Sequence, residues 1–476
     1  MTAIFFGGDC LLFSSIPFLY YFLPCVLLVY FIVPKAMKNV ALFASSLIFY
    51  AWGEPKYVLL MLLSITCGYV FGLLINKYRS NKLGKIYFYL SSFISIAMLG
   101  YFKYVDFFIE NINKMTGMKL SLLRIALPIG ISFYTFQILS YTIDVYRGNV
   151  PVQKNFISFA TYVALFPQLI AGPIVRYSDI VIQLENRTLT MEKIALGIRR
   201  FLFGLSKKIL IANPLGELCD IFRALEDKPV LFYWIYAIAF TLHIYFDFSG
   251  YSDMAIGLGK IFGFEFMENF NYPYISASIT EFWRRWHMSL GSWFRDYVYI
   301  PLGGNRVSKI IWFRNIFIVW FLTGFWHGAA WNFIIWGLYF AILLVIEKLW
   351  LLEKLKKAKI SSHIYVLFLI VISFVIFNAT NMAEAFSYIG GMFGVGTNSF
   401  VSLESFYYLK SYSGIFLLAI VGATPLPKEC VKRLEQKKWG KISLTIAEPI
   451  VLSFLLLLIT AYLVDGSFNP FLYFRF

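Results

Sequence analysis

The chain has 476 residues, of which 59% are hydrophobic, 20% are aromatic and only 14% are charged. Such a chain carries more apolar surface than one soluble core can bury, which excludes an ordinary soluble protein and predicts a polytopic membrane protein. The formal net charge of +16 arises from Lys and Arg in short connections between apolar segments. We therefore expect no nucleic-acid partner, because a basic binding domain would concentrate these residues.

The apolar segments, taken in chain order, predict an all-α fold. Runs of about 18 or more apolar residues are long enough to cross a bilayer as helices. Clear examples, some slightly shorter, are residues 11–33, 57–75, 88–104, 230–246, 364–377 and 449–464. With the weaker segments they predict about ten or eleven transmembrane helices.

Three basic clusters indicate which connections face the cytoplasm. They occupy residues 77–85, 354–359 and 428–441, and the positive-inside rule places such clusters on the cytoplasmic side. Counting crossings from them predicts that both termini lie outside the cytoplasm. No repeat or linker divides the chain, so we predict one membrane domain. Its predicted parts are N-terminal helices in residues 1–240, a motif-rich region in 241–345 and C-terminal helices in 346–476.

The cysteines do not predict a metal site or a disulfide. They are scattered along the sequence and form no C-x-x-C pair, and no histidine lies near them at the spacing of metal ligands. We expect them to be small core residues. Their positions are Cys10, Cys25, Cys67, Cys219 and Cys430.

The region between residues 245 and 306 mixes aromatic residues, arginine, glycine and proline more densely than a lipid-facing helix tolerates. We expect residues 269–305 to form short re-entrant or interfacial helices that wall a cavity. Apolar side chains within residues 281–295 also recur at three- and four-residue steps, which fits an amphipathic helix on the membrane surface. Arg284 and Arg285 suit either that surface or an anionic ligand, because guanidinium groups pair well with phosphate.

Two histidines stand out in this setting. His327 lies inside an apolar stretch able to cross a bilayer, where an ionisable side chain is often functional, although a buried histidine bonded to a carbonyl is the simpler interpretation. His287 follows the two arginines. Farther upstream, His243 and Asp247 are four residues apart on one helical face, which predicts a structural pair, and no third ligand supports zinc.

Five motifs in this order resemble the membrane-bound O-acyltransferase family, and most closely its bacterial alginate O-acetylation branch. They are FDFSGYSDMAIGL at residues 246–258, NFNYPY at 269–274, EFWRRWH at 281–287, WFRDYVYIPLGGNR at 293–306 and GFWHGAAW at 324–331. The resemblance extends to LPIGISFYTFQ at 127–137, FPQLIAGP at 166–173 and NPFLYFRF at 469–476. One departure is visible, because Phe340 and Ala341 occupy positions where many relatives have His-Gly.

The resemblance implies a fold of transmembrane and re-entrant helices around a central tunnel. It also implies that His327 is the catalytic histidine and His287 the second functional histidine. Transfer of an acyl group from a thioester to a hydroxyl needs a base, and neutral histidine suits that role near pH 7. We assign proton abstraction to His327 and orientation or charge stabilisation to His287. Possible substrate- or coenzyme-binding positions in these motifs are Arg284, Arg285, Trp286, Trp326, Asn305 and Asp253.

The implied reaction is transfer of acetyl from cytoplasmic acetyl-coenzyme A across the bacterial plasma membrane, with no permanently bound cofactor or metal. The implied partners are a cell-surface polysaccharide, an extracytoplasmic SGNH-hydrolase-like protein that handles the acetyl group, and membrane lipids. Three alternatives stay open. They are D-alanyl transfer from a carrier protein in teichoic acid modification, a secondary transporter, for which inverted repeats are not detected, and a scaffold or lipid scramblase.

Overall fold

The computed structural model describes residues 11–170 and 172–465, and all regular secondary structure within them is helical. The predicted all-α class is therefore confirmed. The chain divides into two compact units, the first formed by Met1–Phe201 with Ser252–Met267, as far as these residues are described, and the second by Leu202–Tyr251 with Glu268–Phe476. These boundaries differ from the predicted divisions near residues 240 and 345. The single membrane domain stays a prediction.

The first unit contains nine α-helices and most of a tenth within the described residues. They are α1 (Leu23–Ile32), α2 (Lys38–Gly53), α3 (Val58–Lys77), α4 (Lys82–Leu99), α5 (Val105–Thr116), α6 (Ile131–Arg147), α7 (Phe156–Ala164), α8 (Phe166–Leu169), α9 (Tyr177–Glu185) and α10 (Met191–Ser206). The division between the units falls within α10, at Phe201.

The remaining helices belong to the second unit, except that the last part of α12 returns to the first. They are α11 (Asn213–Ala224), α12 (Val230–Ile261), α13 (Ile279–Arg285), α14 (Met288–Phe294), α15 (Lys309–His327), α16 (Trp331–Ile346), α17 (Leu352–Lys357), α18 (Ser361–Asn378), α19 (Met382–Met392), α20 (Leu403–Ser411), α21 (Ser413–Gly422), α22 (Leu426–Glu435) and α23 (Lys438–Val464).

Seven helical stretches in the described residues are long and apolar enough to cross a membrane. They are Pro55–Lys77, Lys82–Thr116, Val230–Ile261, Lys309–His327, Trp331–Lys357, Ser361–Asn378 and Lys438–Val464. An eighth is possible if α21 and α22, bent by 63°, form one broken span. This is fewer than the ten or eleven predicted, because several apolar segments form shorter helices. Residues 11–33, for example, contain only the apolar helix Phe18–Ile32.

The cysteines correct one expectation. Cys219 is buried and Cys67 is half-buried, but Cys25 and Cys430 are exposed, and all four are free thiols. An apolar segment of a membrane protein can turn its surface toward lipid, so an apolar sequence context does not imply a place in the core. Cys10 lies outside the described residues.

His243 and Asp247, predicted as a structural pair on α12, each have a hydrogen-bond partner outside this helix. Asp247 accepts a 2.5 Å hydrogen bond from Lys208, and both side chains are buried. His243 places Nδ1 2.7 Å from the backbone oxygen of Ala212. The buried carboxylate is thus compensated by an ammonium group, as burial of a charge requires.

Glycines allow α15 and α16 to pack as a tight antiparallel hairpin. A Cβ atom on Gly324 would lie 2.3 Å from the backbone oxygen of Phe333, and one on Gly337 would lie 2.2 Å from that of Trp320. Small residues at helix interfaces permit such close backbone approach in membrane proteins. The hairpin fixes the end of α15, where His327 lies.

Candidate active site

Residues 269–294 form a loop and two short helices that fold back on each other. The backbone nitrogen of Asn271 donates to Arg285 O at 2.9 Å, and that of Met288 donates to Asn269 O at 3.0 Å. Ser278 caps α13 by accepting a hydrogen bond from the backbone nitrogen of Glu281 at 3.0 Å. The loop before α13 is therefore paired with the junction that follows it.

His287 separates α13 from α14 with backbone angles φ 44° and ψ 53°. This left-handed conformation is unfavourable for a residue with a Cβ atom, costs on the order of 1–3 kcal/mol and often occurs at functional sites. The single amphipathic helix considered for residues 281–295 is therefore wrong. Helix α13 ends at Arg285 and α14 begins at Met288, so His287 lies at the break between two short helices.

A side-chain amide fixes the imidazole of His287. The Oδ1 atom of Asn269 accepts hydrogen bonds from Ser289 Oγ at 2.9 Å and Ser289 N at 3.2 Å, and it lies 3.1 Å from His287 Nδ1. An oxygen that accepts from a backbone N–H requires Nδ1 to be the donor in the third contact. In the neutral ring, the lone pair is then on Nε2.

The surroundings of His287 favour that neutral form. The side chain is buried and the ring of Phe248 packs edge-on against it, with centroids 4.7 Å apart. Burial lowers the pKa of His287 from its ordinary value to about 3, because the charged imidazolium loses its hydration. His287 therefore stays neutral around pH 7.

The short helices wall a cavity of about 660 Å³, as the sequence predicts. Residues of α13, of α14 and of the following π-helical turn Arg295–Tyr299 form one side, and α15 forms the other. The polar side chains that line it are Arg284, His287, Ser292, Arg295, Tyr299 and Thr323. Two guanidinium groups and one neutral imidazole thus share one cavity.

His327 is held by aromatic packing at the end of α15. Its ring centroid lies 5.0 Å from that of Trp326, 5.2 Å from that of Trp336 and 5.3 Å from that of Phe377. The cavity extends to Thr323, one helical turn before His327, but His327 itself does not line it. A tunnel from His327 to both faces of the membrane stays a prediction.

Trp326 connects the two histidines. Its ring centroid lies 6.1 Å from that of His287 and 5.0 Å from that of His327. The structure therefore brings the two predicted catalytic residues to the same tryptophan, although they are 40 positions apart by the sequence numbering.

The other predicted binding positions separate into different environments. Arg284 lines the cavity, whereas Arg285 pairs with Glu281 at 2.8 Å and donates to Asn271 O at 3.1 Å. Trp286 is buried and its ring stacks on Phe282 at 5.5 Å. These contacts give Arg285 and Trp286 a structural role.

Two predicted positions lie apart from these contacts. Asn305 is exposed in the loop before α15. Asp253 belongs to the first unit, where Arg200 pairs with it at 2.8 Å.

Sequence reasoning missed Glu347. This buried carboxylate, just after α16, accepts hydrogen bonds from the backbone nitrogens of Ile279 at 2.6 Å and Thr280 at 2.9 Å, and from Thr280 Oγ1 at 2.8 Å. It thereby fixes the start of α13, whose other end leads to His287. A glutamate within an apolar segment was the available signal, by the same reasoning that singled out His327.

Comparison with known proteins decides the family. The sequence profile of the membrane-bound O-acyltransferase family matches residues 50–389. The chain belongs to the membrane-bound O-acyltransferase family. It is a multi-pass membrane protein and an O-acyltransferase, and the predicted resemblance is confirmed.

Named relatives of this acyltransferase cover three activities. The probable alginate O-acetylase AlgI of Pseudomonas putida is 39% identical over 487 residues, which is 98% of this chain and 100% of that protein. The peptidoglycan O-acetyltransferase of Helicobacter pylori is 35% identical and covers 88% of each chain. The teichoic acid D-alanyltransferase of Bacillus subtilis is 33% identical over 45% of this chain and 58% of that protein.

Two other motifs of the resemblance belong to the first unit. Gly130 in the first of them, at φ +76°, approaches Leu169 in the second so closely that a Cβ atom on Gly130 would lie 2.7 Å from Leu169 O. The departure at Phe340 places a fully buried ring 4.8 Å from that of Trp283, on the wall of the cavity. Residues 469–476 lie outside the described part of the acyltransferase.

Proposed function

We propose that this acyltransferase transfers acetyl from cytoplasmic acetyl-coenzyme A to an extracytoplasmic acceptor for O-acetylation of a cell-surface polysaccharide. The observation that carries the proposal is the cavity that joins Arg284, Arg295 and neutral His287 and ends one helical turn from His327. Two relatives that cover most of the chain are named as O-acetylating enzymes of alginate and peptidoglycan. Acetyl is therefore the favoured acyl group.

The cavity suits a donor that carries phosphate groups. Arg284 presents charged, forked donors, which pair well with phosphate oxygens. Arg295 adds positive charge to the same cavity, although its Nε and Nη2 already donate to Asp296 at 2.6 Å and 3.1 Å. The pantetheine arm and thioester of coenzyme A would then lie along the apolar wall made by Ile316, Val319 and Trp320. This orientation brings the thioester toward Thr323 and the two histidines.

The arrangement of charge supports entry of the donor from the cytoplasm. The basic cluster at residues 354–359 follows α16 and is assigned to the cytoplasm by the positive-inside rule. Because α15 and α16 are antiparallel, the start of α15 would lie on the cytoplasmic side and His327 toward the opposite side. Asn315 donates to Leu302 O at 3.0 Å, which keeps the segment after Arg295 beside the start of α15.

The two histidines take different roles in the proposed reaction. His327 accepts the proton of the acceptor hydroxyl as the oxygen attacks the thioester carbon, a task that suits a neutral imidazole. His287, fixed by Asn269, orients the reacting groups from the cavity side. The acetyl group then passes to polysaccharide with an extracytoplasmic SGNH-hydrolase-like protein, and both termini of the chain lie on that same side.

A transfer assay with His327→Ala tests the proposal. The purified acyltransferase in detergent is given labelled acetyl-coenzyme A, and release of coenzyme A and transfer of label to membrane glycans are measured. A general base contributes about 10² to 10⁴ in rate, so His327→Ala should lose nearly all turnover while remaining folded. His363→Ala is the matched control, because it removes an imidazole whose Nδ1 lies 3.1 Å from Ser276 O, away from the cavity.

The same assay separates the alternatives. Normal turnover of His327→Ala would contradict the role of His327 as base. Transfer from a D-alanyl carrier protein, with none from acetyl-coenzyme A, would instead assign the chain to the activity for which the Bacillus subtilis relative is named. Solute uptake into vesicles without acyl transfer would favour a transporter.

A further inference from the structure

A buried hydrogen-bond donor that lies beside His327 has no hydrogen-bond partner among the described residues. This donor is Nε1 of Trp336, whose side chain is 1% exposed. A buried N–H without a partner is destabilising, because it has lost its hydrogen bond to water without a replacement. Native proteins rarely retain such a group unless water, a ligand or catalysis accounts for it.

The position of Trp336 relates this donor to the proposed reaction. Its ring centroid lies 5.2 Å from that of His327, with the two planes at 85°. Asn332, one turn earlier on α16, donates from Nδ2 to Ala379 O at 2.9 Å. This hydrogen bond holds α16 against the end of α18, which contains Phe377. Trp336 is thereby fixed next to the imidazole.

The chemistry of indole limits what Trp336 can bind. Indole Nε1 only donates hydrogen bonds, so its partner must be an acceptor. Aromatic rings of Phe340 and Phe377 surround the indole, at 5.2 Å and 5.1 Å between centroids, and in such an apolar setting a hydrogen bond to developing negative charge is strong. The acceptor that gains negative charge during acyl transfer is the carbonyl oxygen of the thioester.

Resting on the proposed function, we propose that Trp336 is a further catalytic residue that stabilises the tetrahedral intermediate through its Nε1–H. The acceptor oxygen forms a bond to the thioester carbon while His327 takes the hydroxyl proton. The carbonyl π electrons move to the oxygen, and the oxyanion accepts a hydrogen bond from Trp336. When the C–O double bond reforms, the C–S bond breaks and His327 returns the proton to the thiolate of coenzyme A.

A second indole helps to define what is special about Trp336. Nε1 of Trp283 is also buried without a described partner. Its described ring contacts, however, are Phe282, Trp320, Trp336 and Phe340. Since none of these is an imidazole, Trp283 is set aside. Trp326 does contact both imidazoles, so Trp326→Phe is measured beside Trp336→Phe, and a loss of kcat confined to Trp326→Phe would overturn the role of Trp336.

Trp336→Phe tests the proposal, because it keeps an aromatic ring and removes the N–H. Loss of one donor to an oxyanion typically lowers kcat by about 10² to 10³. We expect a loss of this size in acetyl transfer, with KM for acetyl-coenzyme A within about twofold of the parent, since binding and rate losses separate in this way for transition-state contacts. Trp336→His, which retains an N–H, should recover part of kcat.

Trp234→Phe is the matched control. It removes an indole N–H that donates to Met392 O at 2.8 Å, and it should leave kcat and KM unchanged. If Trp336→Phe retains kcat within about threefold, or if Trp336→His is no faster than Trp336→Phe, the proposal is wrong. If Trp336→Phe does not fold, Trp336→His is compared with the parent. A measurable kcat in Trp336→His then supports the proposal, and a folded Trp336→His without turnover overturns it.

His327→Ala, measured in the same assay, separates this proposal from the proposed function. Activity in His327→Ala would remove the base and the reaction scheme together. An inactive His327→Ala with a fully active Trp336→Phe would remove only the role of Trp336.

Discussion

Two regions of the second unit each hold one imidazole, and they do so by different means. Residues 269–294 hold His287 with hydrogen bonds to Asn269 and an unfavourable left-handed backbone. The α15–α16 hairpin holds His327 with the rings of Trp326, Trp336 and Phe377. The hydrogen bond to Asn269 fixes one tautomer of His287, whereas the described ring contacts of His327 fix the position of its ring.

This difference suits the proposed division of work. A general base needs a neutral ring held in place against the acceptor hydroxyl, and the close packing around His327 supplies such a fixed position. A residue that orients substrate gains from a hydrogen-bond network like that of His287, because small displacements of positioning groups reduce rate strongly. The variants below test whether each imidazole depends on its own kind of support.

The largest effect should come from breaking the packing of the hairpin with Gly337→Ala. The added Cβ atom would meet the Trp320 backbone oxygen, which cannot move as a side-chain end can. The helices must separate and displace His327. We expect acetyl transfer to fall to background and little folded protein in fluorescence-detected size-exclusion chromatography.

Gly414→Ala is the control for this change, because a Cβ atom there meets nothing within 4 Å. It should leave yield and activity unaltered. Full activity of Gly337→Ala would show that His327 does not need the close hairpin.

Asn269→Ala tests the hydrogen-bonded region. It removes the acceptor of Ser289 N and Ser289 Oγ and the contact to His287 Nδ1. Misplacement of a positioning group by about 1 Å can lower rate on the order of 10²-fold, and we expect a fall in kcat of about that size.

Asn381→Ala provides the comparison, since Asn381 Oδ1 also accepts a backbone hydrogen bond, from Glu384 N at 3.0 Å. Loss of this cap should cost about 1 kcal/mol of stability and leave kcat unchanged. Equal kcat losses in the two variants would mean that a general loss of stability, and not the His287 network, limits the rate.

The two adjacent arginines give a smaller, more specific effect. Arg284 lines the cavity, and Arg285 is paired with Glu281. Loss of one phosphate contact worth about 1.4 kcal/mol raises KM about tenfold, so Arg284→Ala should raise KM for acetyl-coenzyme A by about that factor. Arg285→Ala should leave this KM unchanged, and the opposite order would transfer the binding role to Arg285.

The smallest effect concerns stability and pH. Because the pKa of buried His287 is about 3 in the folded state and about 6.5 when unfolded, the unfolded chain binds the proton first as pH falls. The contribution of His287 to stability is complete above pH 6.5 and falls by about 1.4 kcal/mol per pH unit between there and pH 3. His287→Gln should therefore lose less thermal stability than the parent between pH 6.5 and 5.5.

Equal losses in the parent and His287→Gln would show that His287 does not set this slope. The measurement is the midpoint of thermal unfolding in detergent at each pH. It needs no substrate and so is independent of the proposed reaction.

The sequence predicted much of this arrangement because its signals are local. Apolar runs predicted the helices, and the dense aromatic and arginine content of residues 269–305 predicted short helices around a cavity. His327 was singled out from its residue type and apolar setting, whereas the functional role of His287 was implied by the resemblance. The resemblance added the reaction that these two positions would perform.

The missed features depend on contacts between distant residues. The positive φ of His287 has no sequence signature, because such angles usually favour glycine. Arg284 and Arg285 look alike in sequence, and only the pairing of Arg285 with Glu281 separates them. The predicted number of transmembrane helices was too high because some apolar runs form helices shorter than the run itself. Residues 11–33, for example, contain only the apolar helix Phe18–Ile32.

The carboxylate of Glu347 has a consequence for protein engineering. Glu347 lies just after α16 and binds the backbone of Ile279 and Thr280, which are 67 or more positions earlier in the chain. A chimera that received residues 269–294 from a relative, without a matching acid at this distant site, would carry the motif but lose its anchor. Modules exchanged between such enzymes should therefore be chosen by hydrogen-bonded partners, even where these are remote in sequence.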